Sequence, residues 1–222
     1  MTTNKNSLAL LTDFDDTAAV QNVAEMLLKQ FGNNDWMDIR QQFRDGSLSL
    51  MEYQEIVFSQ IDENTENLGR YATDNSQLRP GFLETYEFCN SMGIPMAVVS
   101  LGLDLYIRPI LKHNGLLDVP VYCVETYYSN DKLNYSYKYT DQNSSEKGLS
   151  KGMVVNSFKA LGYTVLYVGD GRSDFEAART SDIVMARSIL IEECKQNGIE
   201  HLEFEDFYDV LNFIKSYTHS EG

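Results

Sequence analysis

A chain of 222 residues, 43% of them hydrophobic, is long enough to bury a sizeable core as one domain with an insertion or as two small domains. Its formal net charge of −15 disfavours nucleic acids and anionic membrane surfaces as partners, because like charges repel. Its three cysteines are scattered without metal-ligand spacing, and its first residues are too polar for a signal peptide. We therefore expect reduced thiols and a cytoplasmic location.

Short apolar runs alternate with amphipathic runs along most of the chain, which is typical of a parallel sheet with helices on both faces. The predicted strands are 8–12, 96–100, 121–124, 164–168 and 183–185. The predicted core helices are 81–92, 103–113, 151–161, 173–180, 189–196 and 206–217. This order predicts an α/β fold built on a doubly wound parallel sheet.

Two stretches interrupt this alternation. Residues 18–79 hold no convincing strand, and their apolar residues recur at helical spacing, which predicts an inserted helical subdomain. The core domain would then consist of residues 1–17 and 80–222. The tyrosine-rich residues 122–139 alternate around a polar turn and predict a β-hairpin flap, and residues 140–147 predict a loop.

Aromatic and basic side chains of the insertion have two possible positions. Trp36, Phe43 and Tyr53 lie at helical spacing, so we expect them in the core of the insertion. Arg40 and Arg44 lie one turn apart on a predicted helix, and we expect them on its solvated face. The alternative for all five residues is a place in the wall of a substrate pocket.

The first predicted strand carries the strongest sign of chemistry. It runs into Asp13 and Asp15, and Thr17 follows two residues later. Buried strands normally avoid carboxylates, because an unpaired buried charge is costly. Ligands of open α/β sheets bind at the carboxyl ends of the strands, where these two aspartates lie. The pair therefore indicates a bound cation, a reaction, or both.

Three further features belong to the same end of the predicted sheet. Ser100 ends the second strand, Lys151 opens a helix, and a glycine-rich turn with Asp170 and Asp174 follows the strand 164–168. Oxygen ligands favour a hard cation such as Mg²⁺, whereas a lysine and helix N-termini suit an anion. Together the features predict phosphoryl transfer, in which positioning and charge neutralisation supply most of the catalysis.

Taken in order, these motifs resemble the haloacid dehalogenase (HAD) superfamily of phosphohydrolases, which use an aspartate nucleophile. Residues 13–17 resemble its first motif, Ser100 its second, Lys151 its third and residues 169–174 its fourth. The insertion 18–79 is similar to the helical C1 cap of the family. The likeness is greatest to phosphoserine-phosphatase-like members, among them the 2-hydroxy-3-keto-5-methylthiopentenyl-1-phosphate phosphatases of methionine salvage. It implies a Rossmann-like core with a C1 cap.

The resemblance also implies a role for each motif residue. Asp13 would attack phosphorus and form an aspartyl-phosphate, and Asp15 would act first as general acid and then as general base. The residues that bind the substrate phosphate would be Thr17, Ser100, Leu101 and Lys151. A Mg²⁺ ion would be bound by the Asp13 carboxylate, the Asp15 backbone carbonyl and the Asp170 carboxylate, and Asp174 would support this site through water.

A small phosphorylated metabolite is the expected substrate, and a monomer or homodimer the expected assembly. Asn22 lies seven positions after Asp15, where phosphoserine phosphatases have a cap glutamate, and their cap arginine falls near Glu55. Both differences disfavour phosphoserine. Leu101 stands where the methionine-salvage relatives have a glycine, and residues 140–147 lack their cysteine-rich segment. The identity of the ester therefore stays open.

Two other functions are possible on the same scaffold. A phosphotransferase would pass the phosphoryl group from Asp13 to an alcohol instead of water. A non-catalytic protein would only bind a phosphorylated metabolite. The complete set of motif residues disfavours the second alternative, because a decayed member of the superfamily would be expected to have lost its nucleophile or its acid/base residue.

Overall fold

The computed structural model describes residues 8–129, 132–140 and 149–220. Seven strands in these ranges form one sheet. They are β1 (Leu8–Thr12), β2 (Met96–Leu103), β3 (Val121–Ser129), β4 (Lys132–Ser136), β5 (Thr164–Gly169), β6 (Ile183–Ala186) and β7 (Leu202–Glu203). The helices are α1 (Val23–Phe31), α2 (Trp36–Arg44), α3 (Leu50–Ser59), α4 (Thr65–Asn75), α5 (Phe82–Met92), α6 (Asp104–His113), α7 (Lys151–Ala160), α8 (Phe175–Thr180), α9 (Ser188–Asn197) and α10 (Phe207–Ser220).

The sheet has the order β4-β3-β2-β1-β5-β6-β7 and is parallel except for β4, which runs antiparallel to β3. Successive residues of β1 place their side chains on opposite faces of the sheet, as the pleat of a strand requires. Leu10 belongs to the core cluster that contains Ile107 and Phe207, and Leu11 belongs to the cluster that contains Val154. Helices therefore cover both faces, which confirms the predicted doubly wound α/β sheet.

The centre of this sheet positions the motif residues. Thr12, the last residue of β1, pairs with Val98 of β2 on one side and with Val168 of β5 on the other. β1 ends at Thr12 and β5 ends at Gly169, so the residues that follow them leave the sheet at the same edge. β2 continues to Leu103, past its predicted end at Ser100. The backbone amide of Asp13 donates to the carbonyl of Val168, which ties the first motif residue to that edge.

The hairpin is a continuation of the sheet. β3 runs for nine residues, and its second half pairs with β4 from Glu125 opposite Ser136 to Ser129 opposite Lys132. The turn residues 130 and 131 and the part of the predicted loop between residues 141 and 147 lie outside the described residues. The two-residue strand β7 has no counterpart among the predicted strands.

Helices α1–α4 occupy the chain between β1 and β2. The two segments that join them to the sheet pair with each other through an antiparallel bridge between Ala19 and Leu78. α4 packs on α6 where Gly69 meets Pro109, and a Cβ at residue 69 would come within 2.9 Å of that ring. The boundaries of a separate cap at residues 18 and 79 stay a prediction. In the described ranges, no helix has the length and apolar character needed to cross a bilayer.

Candidate active site

Asp13 and Lys151 form a buried ion pair at the carboxyl edge of the sheet. The Lys151 Nζ atom lies 2.7 Å from Asp13 Oδ1 and 2.6 Å from Asp174 Oδ1. Lys151 occupies the first turn of α7, which Ser150 caps by accepting the backbone amide of Met153. Burial acts to lower the pKa of Lys151, but the two carboxylates outweigh it and raise that pKa. The lysine is therefore held as a cation beside Asp13.

Asp174 is fully buried, and both of its oxygens are occupied by donors. Oδ1 accepts from Lys151 Nζ and from the hydroxyl of Tyr167, each at 2.6 Å. Oδ2 accepts from the backbone amides of Asp170 and Gly171, each at 2.9 Å. Asp174 therefore orients the lysine and shapes the turn that carries Asp170.

Asp13, Asp170 and Asp174 each place one carboxylate oxygen within 4.8 Å of the others. Burial raises the pKa of Asp13 well above its ordinary value; the Asp174 and Asp170 carboxylates add to the rise, and Lys151 opposes it. Burial and the Asp174 charge raise the pKa of Asp170 to about 7. Carboxylates held this close repel each other unless a cation joins them. Because the atoms available to bind a metal are carboxylate oxygens, the cluster suits a hard divalent cation such as Mg²⁺.

Asp15 lies between the sheet and the helical insertion. Its Oδ1 accepts from the backbone amides of Val23 (2.6 Å) and Ala24 (3.3 Å) in the first turn of α1. Its Oδ2 accepts from the Tyr106 hydroxyl of α6 at 2.8 Å. Burial raises the pKa of Asp15 to about 6, although these three donors act to lower it. A carboxyl group that titrates near neutrality can both donate and accept a proton at physiological pH.

The backbone around Asp15 has two special positions. Asp16 adopts a left-handed conformation with φ = 59°, which aspartate tolerates better than most residues do. Asn22 donates to the Asp16 carboxylate at 2.9 Å and also caps α1 by accepting from the Glu25 amide. A Cβ at Gly102 would overlap the Tyr106 hydroxyl and press on Asp15 Oδ2. The absence of a side chain at residue 102 therefore makes room for the contact between Tyr106 and Asp15.

The residues predicted to bind phosphate are all near this edge, but they have different partners. Ser100 and Leu101 line the same cavity as Asp13 and Lys151. The Ser100 hydroxyl oxygen accepts from the Gly102 amide at 3.0 Å. Thr17 instead donates its hydroxyl to Asp170 Oδ1 at 2.9 Å, and so supports the turn after β5. Phosphate binding by Thr17, Ser100, Leu101 and Lys151 stays a prediction.

A cavity of about 260 Å³ separates the motif residues from the helical insertion. Phe43, Tyr53, Arg40 and Arg44 line it. Arg44 is exposed, as expected for a solvated face, whereas Arg40 is half-buried. Arg40 pairs with Glu25 at 2.7 Å, and Phe43 and Tyr53 stack with ring centroids 5.1 Å apart. Only Trp36 of the three aromatics takes the expected core position without lining the cavity. The helices α2 and α3 that carry these residues pack against each other.

Residues 10–179 match the model of the haloacid dehalogenase-like hydrolase family. The chain belongs to the haloacid dehalogenase-like hydrolases. The match spans β1, α1–α4, β2 and β5, and its range includes the residues of all four sequence motifs. Family membership confirms the relationship that the sequence motifs predict.

Relatives of this hydrolase include phosphatases. The 2-hydroxy-3-keto-5-methylthiopentenyl-1-phosphate phosphatase of Bacillus velezensis is 26% identical, and the match covers 93% of this chain and 89% of the relative. The enzyme of the same name from Exiguobacterium sibiricum is 28% identical, with 95% and 97% covered. A substrate-bound phosphoserine phosphatase has the same fold, with a TM-score of 0.70 at 20% identity and 95% and 99% covered. These names agree with the predicted enzyme class, a phosphoric monoester hydrolase.

Three residues of this site are missing from the sequence predictions. Tyr106 and Gln54 both contact motif residues from helices, and Arg79 donates its guanidinium to the carbonyls of Asp16 and Thr17. Gln54 could have been noticed as a polar residue on the apolar face of α3. Arg79 stands before a Pro-Gly turn, where a charged residue that becomes buried leaves no periodic signal. Tyr106 resembles an ordinary core aromatic.

Proposed function

We propose that this protein is a Mg²⁺-dependent phosphatase that hydrolyses a small phosphate monoester through an aspartyl-phosphate on Asp13. The observation that carries the proposal is the buried Asp13–Lys151 pair beside Asp170, with Asp15 across the same cavity. A nucleophilic carboxylate, a cation for the phosphate and an acid/base group with a pKa of about 6 are the groups that this reaction needs.

In the first half of the reaction, an Asp13 oxygen forms a bond to phosphorus and the ester P–O bond breaks. Asp15 gives its proton to the departing alkoxide, so that a neutral alcohol leaves. In the second half, water attacks phosphorus, Asp15 takes its proton, and the bond from phosphorus to Asp13 breaks to release phosphate. Lys151 offsets negative charge on Asp13 and the phosphoryl oxygens throughout.

The Asp13 carboxylate, the Asp15 backbone carbonyl and the Asp170 carboxylate would hold the Mg²⁺ ion. Bound there, the ion supplies neutralisation of the phosphate charge and orients the ester. Asp174 keeps its protein donors and acts on the site through Lys151 and the turn at Asp170. Helices α1–α4 would act as a cap that opens for substrate and closes to exclude bulk water.

The cavity favours an ester that is not phosphoserine. Among the described residues of α1–α4 that line the cavity, Glu25 is the one with a carboxylate. This carboxylate already pairs with Lys29 and Arg40, at 2.8 and 2.7 Å. Asn22 donates to Asp16 and caps the first turn of α1, and its side chain is a neutral amide. Neither residue therefore offers an unpaired carboxylate to an ammonium group. The apolar stack of Phe43 and Tyr53 suits an uncharged tail, such as that of the ester named in the relatives.

The deciding experiment measures phosphate release from a panel of small esters with Mg²⁺ and with EDTA. The panel contains the methionine-salvage enol phosphate, phosphoserine, pyridoxal phosphate and phosphocholine. Release that requires Mg²⁺ and vanishes in Asp13→Asn, but persists in the surface variant Asp118→Asn, supports the proposal. If folded, Mg²⁺-loaded protein releases no phosphate from any ester, the proposal is wrong.

An acceptor alcohol added to the same assay tests the phosphotransferase alternative. Hydrolysis yields inorganic phosphate, whereas transfer yields a phosphorylated alcohol in its place. A phosphatase should lose little phosphate release when glycerol is added, and no new ester should form. The cytoplasmic location, the absence of nucleic-acid and membrane partners, and the monomeric or homodimeric state stay predictions.

A further inference from the structure

One buried polar atom of the cavity wall has no hydrogen-bond partner among the described residues. Gln54 lies on α3 with 5% of its surface exposed, and it lines the cavity together with the motif residues. Its Nε2 donates to the backbone carbonyl of Leu101 at 2.6 Å. Because a carbonyl can only accept, the nitrogen must face Leu101, and the oxygen is the atom left over. Among the described residues, nothing donates a hydrogen bond to this Oε1.

Leaving a buried carbonyl oxygen unsatisfied destabilises a protein, so such an atom calls for an explanation in its surroundings. Here the surroundings are a ligand cavity rather than a packed core. Leu101 follows Ser100, whose hydroxyl lies in the same cavity as Asp13. The Gln54 amide is therefore hydrogen-bonded to the end of β2, which we propose to bind phosphate. A substrate group that reaches Oε1 must lie close to the phosphoester.

We propose that Gln54 determines specificity by accepting a hydrogen bond from a substrate hydroxyl near the phosphate-bearing carbon. The inference rests on the proposed phosphatase function and adds the substrate class, a phosphate ester of a hydroxylated carbon chain. A neutral amide oxygen suits a neutral hydroxyl better than an ammonium, which needs a carboxylate to offset its desolvation. The carboxylate of the cap wall, Glu25, is already paired with two cations.

The test compares two esters of equal chain length, 2-hydroxypropyl phosphate and propyl phosphate. The ratio of their kcat/KM values isolates the contribution of the hydroxyl. We expect the wild-type protein to favour the hydroxylated ester by about 10-fold or more, because the deoxy ester leaves a buried acceptor unsatisfied. Gln54→Met keeps the length of the side chain but removes the acceptor, so the ratio should fall by about 10-fold.

Gln54→Met also loses the bond to Leu101, but that loss affects both esters equally and cancels in the ratio. Gln60→Met is the matched control. Gln60 is a cap glutamine whose oxygen is also buried with no hydrogen-bond partner in the described part of the chain, but it does not line the cavity. Its substitution should leave the ratio unchanged. An unchanged ratio in Gln54→Met, or a wild-type ratio near 1, overturns the inference.

The proposed function fails in a different way. If wild-type protein hydrolyses neither ester nor p-nitrophenyl phosphate in the presence of Mg²⁺, the phosphatase proposal is wrong and this inference falls with it. If it hydrolyses both esters without preference, the phosphatase proposal stands and the role of Gln54 is refuted. Hydrolysis with a preference that Gln54→Met abolishes supports both.

Discussion

At the scale of single residues, Asp15 is held by two parts of the molecule at once. Val23 and Ala24 donate from the first turn of α1, where the helix dipole also favours a negative charge. Tyr106 donates from the core side. Two of the three hydrogen bonds to Asp15 therefore depend on the position of α1. The position of the helical insertion and the readiness of the acid/base group are thereby linked.

Tyr106→Phe tests the core half of this arrangement. The hydroxyl stabilises the ionised form of Asp15, so its removal should raise the pKa of Asp15 above its value of about 6. Because Asp15 must be protonated to act on the leaving group, the alkaline fall in kcat/KM should move to higher pH. The measurement is a pH profile with saturating Mg²⁺. Tyr163→Phe, away from the cavity, should keep the wild-type profile, and an unshifted profile in Tyr106→Phe would contradict the assignment.

Asp170 and Asp174 differ in what their oxygens contact, so their substitution by asparagine should have different effects. Asp174 receives four protein donors, and Asp174→Asn should lower the free energy of unfolding by roughly 3 kcal/mol, because it breaks a buried ion pair. Asp170→Asn should mainly raise the Mg²⁺ concentration needed for half-maximal activity. Urea denaturation and Mg²⁺ titration of activity separate the two effects. Equal losses of stability would contradict this distinction.

At the scale of elements, a β-bridge and the hydrogen bonds of one arginine hold the two segments that connect the sheet to the helical insertion. The bridge between Ala19 and Leu78 closes the two connecting segments into a narrow base. Next to it, Arg79 is 9% exposed and donates from Nε to the Thr17 carbonyl and from Nη2 to the Asp16 carbonyl, at 2.7 and 2.6 Å. One side chain at the base of the insertion therefore fixes the backbone of the first motif.

Arg79→Lys keeps the charge but cannot satisfy both carbonyls with the same fork geometry. We expect kcat to fall by about 10-fold or more, because the loop that carries Asp15 loses its anchor and small displacements of reacting groups are costly. Arg70→Lys, an exposed position on α4, is the control and should retain wild-type kcat. Wild-type turnover in Arg79→Lys would show that the anchor is dispensable.

The elements themselves were largely predictable, because their signals are local. β1 spans the predicted residues 8–12, and α5 ends before Gly93, which takes the left-handed conformation expected of a stop signal. The contacts of Tyr106 and Gln54 were not predictable, because they join residues 91 and 47 positions apart. The spacing of the motifs predicted which residues meet at the carboxyl edge of the sheet. The lining of the cavity could not be predicted in this way, because it depends on how α2 and α3 pack.

At the scale of the whole molecule, the chain carries a net charge of −15, and acidic groups are also concentrated at the site. Burial raises the pKa of Asp15 to about 6 and that of Asp170 to about 7, from an ordinary value of 3.8. Between pH 4 and pH 7, Asp15 and Asp170 therefore hold more protons in the metal-free folded protein than in the unfolded chain. The stability that these groups contribute at pH 4 is lost as the pH rises through 6 and 7.

We expect the melting temperature in EDTA to fall between pH 5 and pH 7.5, and Mg²⁺ to reverse much of that fall at pH 7.5. Mg²⁺ binds the ionised carboxylates, and a concentration of about 100 times its Kd would stabilise the folded protein by roughly 2.7 kcal/mol. For a chain of this size, that corresponds to a rise of about 5 to 10 °C. Calorimetry at both pH values, with and without Mg²⁺, measures it.

Asp170→Asn and Asp118→Asn are matched variants for this experiment, since each removes one negative charge. Only Asp170→Asn should flatten the dependence on pH and reduce the response to Mg²⁺, because only Asp170 belongs to the buried carboxylate cluster. If both variants respond as the wild type does, the pH dependence comes from the overall charge and not from the site. If the wild type gains stability in EDTA as the pH rises, the raised pKa values do not govern its folding.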